Sequence, residues 1–195
     1  MTAVEVARLG PGALLALGGE IRSVYAAAFG GPPWHEPAHT ADDYLLRLAR
    51  DARRPGFTAA TAYGEDGRLI GFATAWTTPR PFPADRCYAH VSGGLGQPRT
   101  RAWLCGAREV DELAVHPDHA GRGAGAALVE EISAGVPDDR CWLLTTAAAG
   151  GPLDFYRRLG WHPVTLPEPD SGGLVVLLGP RHPGAGTAGH NGAAG

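Results

Sequence analysis

The sequence predicts a mixed α/β fold with about seven strands and about four helices. Two apolar runs at residues 57–63 and 69–77 flank the turn sequence Gly-Glu-Asp-Gly-Arg, which is typical of a hairpin. Residues 110–132 pass from a strand pattern through a His-Pro break and a glycine-rich turn into an alanine- and leucine-rich helix pattern. Strand and helix patterns continue to residue 178, which indicates a single domain over residues 1–178.

The other elements follow from local periodicity, taken in chain order. Alternating apolar residues from Val4 to Leu9 predict a first strand, and residues 13–29 have helical spacing with a kink at Gly18-Gly19. Thr40 is suited to cap a helix over residues 40–53. Later strands are predicted at residues 109–115, 140–146, 161–165 and 173–178, and later helices at residues 122–134 and 153–159. Residues 179–195 are rich in Gly, Ala and Pro without an apolar period, which predicts a disordered tail.

Composition excludes several classes of protein. The net charge is −3 and all 17 basic residues are arginine, which argues against a nucleic-acid binder with a basic stripe. No apolar stretch approaches the length of a membrane span, and the N-terminus lacks the pattern of a signal peptide. Three widely spaced cysteines agree with a reduced, cytoplasmic setting.

The glycine-rich turn before the 122–134 helix is typical of a phosphate-binding site. Glycines let the backbone approach a ligand, and the first N–H groups of a helix can bind phosphate or pyrophosphate without lysine. A P-loop would require lysine, which the chain lacks. The dinucleotide pattern G-x-G-x-x-G would follow its strand directly, whereas Gly121, Gly123 and Gly125 read G-x-G-x-G after an intervening segment.

Two motifs resemble the GNAT superfamily of N-acetyltransferases. The sequence AGRGAG at residues 120–125 fits that family's R/Q-x-x-G-x-G/A loop at both glycine positions, and it follows ELAVHP, which looks like the end of the family's fourth strand. The sequence FYRRLGW at residues 155–161 resembles the family's later helix-to-strand signature. Ala120 departs from the family, which usually has Arg or Gln there. The resemblance covers residues 2–178 and implies a central, mostly antiparallel sheet of about seven strands.

The resemblance implies that acetyl-CoA is the acyl donor. In such a protein the backbone of Leu113, Ala114 and Val115 would pair with the pantetheine arm, and the amide of Ala114 would face the thioester oxygen. Tyr156 would be the general acid that protonates the leaving thiolate. The pyrophosphate would be bound by the loop and helix start, which comprise Gly121, Arg122, Gly123, Ala124, Gly125 and Ala126.

Glu112 is the candidate general base. It is a charged residue in a strand expected to be buried on both faces, so its position requires an explanation. Asp111, which points to the opposite face, is the alternative. N-acetylation requires that the amine lose its proton, and a carboxylate can accept that proton directly or through water.

The acceptor is predicted to be a primary amine of a small molecule. A protein N-terminus or lysine is the alternative acceptor, and a non-catalytic acyl-CoA sensor is the alternative function. The acceptor pocket should draw on Trp34, His35, Glu36, Trp76 and the long 78–107 connection, whose aromatic residues predict a packed lid. A homodimer is left open, and neither nucleic acid nor membrane is an expected partner.

No metal is expected. The sequence HEPAH at residues 35–39 matches the zinc motif H-E-x-x-H, but Pro37 prevents the helix that would bring both histidines to one face. His116 and His119 flank Pro117 on a turn with no third ligand nearby in the sequence.

Overall fold

The computed structural model describes residues 4–32, 34–85, 87–147, 151–167 and 173–186. Within these residues the chain forms seven strands: β1 (Glu5–Leu9), β2 (Thr58–Tyr63), β3 (Leu69–Thr77), β4 (Arg108–Val115), β5 (Cys141–Thr146), β6 (His162–Pro163) and β7 (Leu174–Leu178). The α-helices are α1 (Pro11–Ala16), α2 (Gly18–Gly30), α3 (Thr40–Asp51), α4 (Tyr88–Leu95), α5 (Gln97–Arg99), α6 (Ala124–Ser133) and α7 (Gly151–Arg158).

The strands form one mostly antiparallel sheet in the order β1-β2-β3-β4-β5-β7-β6, as predicted for the mixed α/β fold. β2 and β3 are a hairpin in which Thr58 pairs with Ala75, and the register shifts at Tyr63. Gly67 closes the turn with φ +75°, a conformation that a residue with a Cβ rarely adopts. β5 and β7 pair antiparallel from Trp142–Leu178 to Thr146–Leu174.

The chain divides into two compact units, of which the first comprises residues 1–76 and 110–134. Its core packs α2 and α3 against the sheet. Ala41, Tyr44 and Leu48 recur at helical spacing on the buried face of α3. The Tyr44 ring stacks on Tyr25 with centroids 4.4 Å apart and lies 5.7 Å from the ring of Phe72 in β3. These contacts fix the position of α3.

The second unit comprises residues 77–109 and 135–195. Tyr88 and Trp142 are fully buried in its core together with Leu104 and Leu178. The Tyr88 hydroxyl donates to the buried carboxylate of Glu109, with oxygen–oxygen distances of 2.8 and 3.0 Å. This bond satisfies a charged group that would otherwise be costly to bury.

Much of the 78–107 connection is helical, and Tyr88, Val91, Leu95 and Leu104 of it lie in the core of this unit. The aromatic residues of this connection predicted a packed segment, and the structure has α4, α5 and a π-helix, Thr100–Leu104, there. The sequence missed these helices because Gly, Pro and Ser interrupt the apolar pattern. Whether the segment acts as a lid remains a prediction.

The disordered tail predicted from Gly179 is wrong for residues 179–186. The N–H of Gly179 donates to the carbonyl of Cys141 at 2.8 Å, and His182 is buried with only 3% of its surface exposed. His182 Nε2 lies 3.1 Å from the carbonyl oxygen of Trp103, and the N–H of Gly184 donates to His182 Nδ1 at 2.9 Å. One buried histidine therefore holds a segment whose composition looks disordered. Residues 187–195 of the predicted tail lie outside the described residues.

Smaller differences occur at helix ends. The helix predicted over residues 13–29 is divided into α1 and α2 at Leu17, close to the expected glycine kink. His39, not Thr40, precedes α3 and no side chain caps this helix. In the part of the chain that the structure describes, no helix has the length and apolar character needed to cross a membrane.

Candidate active site

The glycine-rich turn leads from β4 into α6. After a short 3₁₀ turn at Pro117–His119, Gly121 and Gly123 adopt φ values of +72° and +90°. Gly123 is the N-terminal residue before α6, and no side chain caps the helix. Because the N–H of Ala127 is the first to find a helical acceptor, the Gly123 carbonyl at 3.0 Å, the preceding helical N–H groups have no partner within the helix.

The surroundings of this turn leave room for a ligand. Gly121, Arg122 and Gly123 are exposed. A Cβ at Gly121 or Gly123 would meet no atom within 4 Å among the described residues. The neighbouring β3–β4–α6 packing is tight by contrast, since a Cβ at Gly71 would lie 3.0 Å from the carbonyl oxygen of Ala114. The turn can therefore accept an anion at its surface while the elements behind it stay close.

The residues predicted to flank the pantetheine arm lie in the second half of β4. Ala114 is buried, and Leu113 and Val115 are half-buried. After the strand, the N–H of His116 donates to the carbonyl of Ile70 at 2.8 Å. His116 and His119 have ring centroids 6.0 Å apart. The described residues contain no group of three or more side chains placed to hold a metal.

Glu112 lies in β4 with its side chain 15% exposed, and Arg47 of α3 reaches it. The Arg47 guanidinium donates from Nη2 to Glu112 Oε2 at 2.8 Å. Burial, with the charges of Asp111 and Glu36, raises the pKa of Glu112 to about 8, although Arg47 acts in the opposite direction. Such a carboxyl group titrates near neutral pH, which is the property expected of a general base.

Further polar groups surround this pair. Burial and the charges of Glu112 and Glu36 raise the pKa of Tyr25. The buried Oε2 of Glu36 and the buried Nε of Arg47 have no hydrogen-bond partner among the described residues. Asp111, Glu36 and the Arg47 guanidinium therefore all act on the charge of Glu112.

Sequence reasoning included Glu36, Asp111 and Glu112 but missed Arg47 and Tyr25. Arg47 was hidden because arginine on an amphipathic helix normally faces solvent. The available signal was its position three residues after Tyr44 on the edge of the apolar face of α3. A basic side chain there could reach the sheet.

The predicted acceptor residues have different environments. Trp34 is 37% exposed, and its ring lies 5.9 Å from that of Phe29. His35 has a φ of 50° in the α2–α3 loop, so the H-E-x-x-H sequence is not helical. Trp76, which the sequence placed in the acceptor pocket, is fully buried, and the Arg54 guanidinium lies 4.5 Å from its ring centroid. Its size and its position in the all-buried strand β3 make it a core residue.

Tyr156 belongs to α7 in the second unit, and its side chain is nearly buried, at 8% exposure. Its ring lies 5.9 Å from that of Trp161. The helix ends as predicted at Gly160, with φ +80°, and the N–H of Trp161 donates to the carbonyl of Tyr156 at 3.0 Å. The buried residues of α7 are Leu153 and Tyr156, whereas Phe155 is only half-buried. Leu153 and Tyr156 therefore mark the buried face of this helix.

A strand, a glycine-rich turn and a helix whose first N–H groups have no acceptor within the helix are elements that can bind a phosphate-containing ligand. The family model described as the acetyltransferase (GNAT) domain matches residues 58–163. The chain therefore belongs to the GNAT acetyltransferases, the family that the sequence resembled. No curated protein sequence matches the chain closely enough to serve as a relative.

Solved structures of this fold are similar over most of the chain. A histone acetyltransferase HPA2 and related acetyltransferase from Corynebacterium glutamicum is 18% identical, with TM-score 0.61, covering 91% of this chain and 95% of its own. PH1933 from Pyrococcus horikoshii is 15% identical, with TM-score 0.59 and coverages of 91% and 98%. PaiA N-acetyltransferase from Thermoplasma acidophilum, solved with coenzyme A, is 15% identical, with TM-score 0.53 and coverages of 91% and 99%. At such low sequence identities, the similarity to these structures establishes the fold alone.

Proposed function

We propose that this protein is an acetyl-CoA-dependent N-acetyltransferase that acts on a primary amine of a small molecule. The observation that supports this most directly is Glu112, a half-buried carboxylate with a raised pKa in β4 of a GNAT acetyltransferase. An amine must lose a proton to attack a thioester, and a carboxylate that titrates near pH 8 is matched to that task.

The proposed cofactor site is the glycine-rich turn and the start of α6. The open space at Gly121 and Gly123 fits a pyrophosphate group, as do the N–H groups of Ala124, Gly125 and Ala126, which have no acceptor within the helix. Arg122, which is exposed between the glycines, adds positive charge. Ala120 provides no side-chain donor, so we infer that backbone groups carry most of the affinity.

In the proposed reaction, acetyl-CoA supplies the acetyl group. Glu112 takes the proton from the amine as its nitrogen forms a bond to the carbonyl carbon. The amide of Ala114 stabilises the negative charge on the thioester oxygen, which is the function of an oxyanion hole. Tyr156 donates its proton to the sulfur as the carbon–sulfur bond breaks, which yields the amide product and free CoA.

The polar groups of the first unit support a small cationic acceptor. The negative charges of Asp111 and Glu36 oppose ionisation of Glu112, and an ammonium group bound beside it would offset their effect. The buried Oε2 of Glu36 would gain the N–H donor that the described residues do not supply. A small amine can reach such half-buried groups more readily than an ordered protein segment.

A panel of amines incubated with acetyl-CoA tests the proposal. We expect a mass increase of one acetyl group on a small amine together with stoichiometric release of CoA. Acetylation of peptide N-termini or lysines alone would favour a protein acceptor. Binding of acetyl-CoA without turnover on either panel would favour the non-catalytic sensor, to which the replacement at Ala120 also points.

A further inference from the structure

The pair formed by Arg47 and Glu112 has a geometry that the proposed reaction does not yet use. The two residues are 65 positions apart, and they meet because α3 packs against the sheet within the first unit. The Arg47 side chain is 35% exposed and that of Glu112 is 15% exposed, so this is not a pair of freely moving surface charges. Removing one partner of such a pair costs more than breaking an exposed salt bridge, because it leaves a partly buried charge without its counterion.

The Arg47 guanidinium is held in place by its surroundings. Its carbon Cζ lies 5.1 Å from the ring centroid of Tyr44, within the range of a cation–π interaction. Tyr44 is itself 3% exposed and fixed between the rings of Tyr25 and Phe72. The guanidinium therefore approaches Glu112 from a rigid support, and it can fix the rotamer of that carboxylate.

The contact leaves the other half of the carboxylate free. Arg47 donates to Oε2, and the described residues place no hydrogen bond on Oε1. Because the buried Nε of Arg47 does not share in the contact, the pair is single rather than bidentate. A single contact keeps one oxygen available to accept a proton, which a bidentate pair would not.

Of the charged groups that act on Glu112, only Arg47 favours its ionisation, and the others oppose it. Asp111 on the same strand and Glu36 in the α2–α3 loop are like charges, and Tyr25 and Tyr44 face the site from α2 and α3 as neutral phenols. Arg47 is the one positive group that acts on Glu112 in the described part of the first unit. Without it, a half-buried carboxylate would be protonated over a wider range of pH.

We propose that Arg47 is a positioning residue for Glu112: it holds Oε2, favours the charged form of the carboxylate by its own positive charge, and leaves Oε1 free to accept the proton of the amine. The proposal rests on the proposed function of Glu112 as the base. Arg47 itself need not touch the acceptor or acetyl-CoA.

The test follows the pKa of Glu112 in Arg47→Gln, Arg47→Lys and the unchanged protein. Carbon-13 labelling of glutamate carboxyls gives this pKa by NMR without knowledge of the acceptor, and the resonance is assigned by its loss in Glu112→Gln. We expect the pKa of Glu112 to rise by at least about one pH unit in Arg47→Gln, since a neighbouring opposite charge typically shifts a carboxyl by 1–3 units. Arg47→Lys, which keeps the charge, should restore most of the difference.

Kinetics provide the second measurement. The acid limb of the kcat/KM profile should move to higher pH in Arg47→Gln, with activity at pH 7 falling roughly tenfold and largely recovering above pH 9. Arg22→Gln is the matched control, because Arg22 also pairs with α3, through Asp42 at 2.5 Å, but lies exposed and away from Glu112. This control should leave both the profile and the Glu112 pKa unchanged.

The outcomes separate the two proposals. An unchanged Glu112 pKa in Arg47→Gln, or an equal loss of activity at every pH, would overturn the positioning role. Full activity in Glu112→Gln would instead remove the base and leave the Arg47–Glu112 pair as a structural contact. If Arg47→Gln fails to fold, Arg47→Lys tests the positioning role instead. Lysine keeps the positive charge but changes the point of contact, so kcat should change while the pKa of Glu112 moves little.

Discussion

At the scale of single residues, the chemistry of this protein depends on charges that are only half-buried. Full burial would neutralise Glu112, and full exposure would leave its pKa near the value of a free carboxyl, too low for an efficient base near neutral pH. The observed environment lies between these limits, because burial and like charges raise the pKa of Glu112 while Arg47 lowers it.

Glu112→Gln tests the base directly. We expect kcat to fall by roughly 10²–10⁴-fold, the usual contribution of general base catalysis. In the unchanged protein activity should rise with pH through about 8, because only the ionised carboxylate accepts a proton. A steady-state pH profile of both proteins checks this. Asp111→Asn is the comparison, and a larger loss in that variant would show that the alternative carboxylate is the base.

Glu112 should also make the stability of the protein depend on pH, in the direction opposite to its effect on activity. The folded-state pKa of Glu112 lies above its ordinary value of 4.5, so the folded protein holds a proton that the unfolded chain has released between those values. Stability contributed by this group is therefore lost as pH rises from about 4.5 to about 8. Glu112→Gln should show a weaker fall of melting temperature over that interval, and a steeper one would contradict the raised pKa.

Tyr156→Phe tests the general acid. The change removes one proton donor and keeps a ring that is 8% exposed, so packing should be preserved. A thiolate is already a fair leaving group, since the pKa of a free thiol is about 8.5, and we expect kcat to fall only about 10- to 100-fold. The Kd of CoA, measured by calorimetry, should change little. If kcat is unchanged, Tyr156 is a packing residue and the proton comes from elsewhere.

At the scale of elements, the glycine turn before α6 should determine cofactor affinity. Gly123→Val places a branched side chain at φ +90° in the space proposed for pyrophosphate. We expect loss of the thermal shift produced by CoA. Gly67→Val is the matched control, because Gly67 also has a positive φ, +75°, and open space around it but lies in the β2–β3 turn. Both variants should lose some stability, whereas only Gly123→Val should lose CoA binding.

The segment after β7 is a second element with a measurable role. Gly184 donates to His182 Nδ1, so the proton of the neutral ring lies on Nε2 and is donated to Trp103. His182→Ala removes both bonds and leaves buried groups unsatisfied, which typically costs about 1–3 kcal/mol. The melting temperature should therefore fall by several degrees, in contrast to Arg181→Ala, which removes only an exposed ion pair with Asp139.

The titration of His182 adds a pH dependence to this element. Burial lowers the pKa of His182 below its ordinary value of 6.5. The unfolded chain then binds a proton more readily than the folded one, so stability should fall as pH drops below about 6.5. Thermal unfolding at pH 7.5 and 5.5 should show a smaller difference for His182→Ala than for the unchanged protein.

At the scale of the whole molecule, acetyl-CoA should stabilise the folded chain. A ligand that binds only the native state at a hundredfold excess over Kd contributes about 2.7 kcal/mol. For a chain of this size that corresponds to a rise in melting temperature of roughly 5–10 °C. Differential scanning fluorimetry with CoA measures the shift. No shift at millimolar CoA would contradict the cofactor assignment.

Much of this fold could be predicted from the sequence. The bounds of β3, Leu69–Thr77, agree with the apolar run, because strand residues buried on both faces leave a continuous hydrophobic signal. The family was predicted from two motifs whose glycine spacing follows from backbone geometry. What escaped prediction depends on contacts distant in sequence. Arg47 reaches Glu112 across 65 positions, and His182 orders its segment by bonding to Trp103, 79 positions away.

The five tryptophans of the chain differ in their exposure to solvent, so their fluorescence can report on ligand binding. Trp76, Trp142 and Trp161 are buried, whereas Trp34 is 37% exposed on the loop that also carries Glu36. Acrylamide should therefore quench the red-shifted emission of Trp34 well before that of these three buried rings. An amine bound beside Glu36 would shield Trp34 and restore that emission, so candidate acceptors can be screened by fluorescence before any product is known.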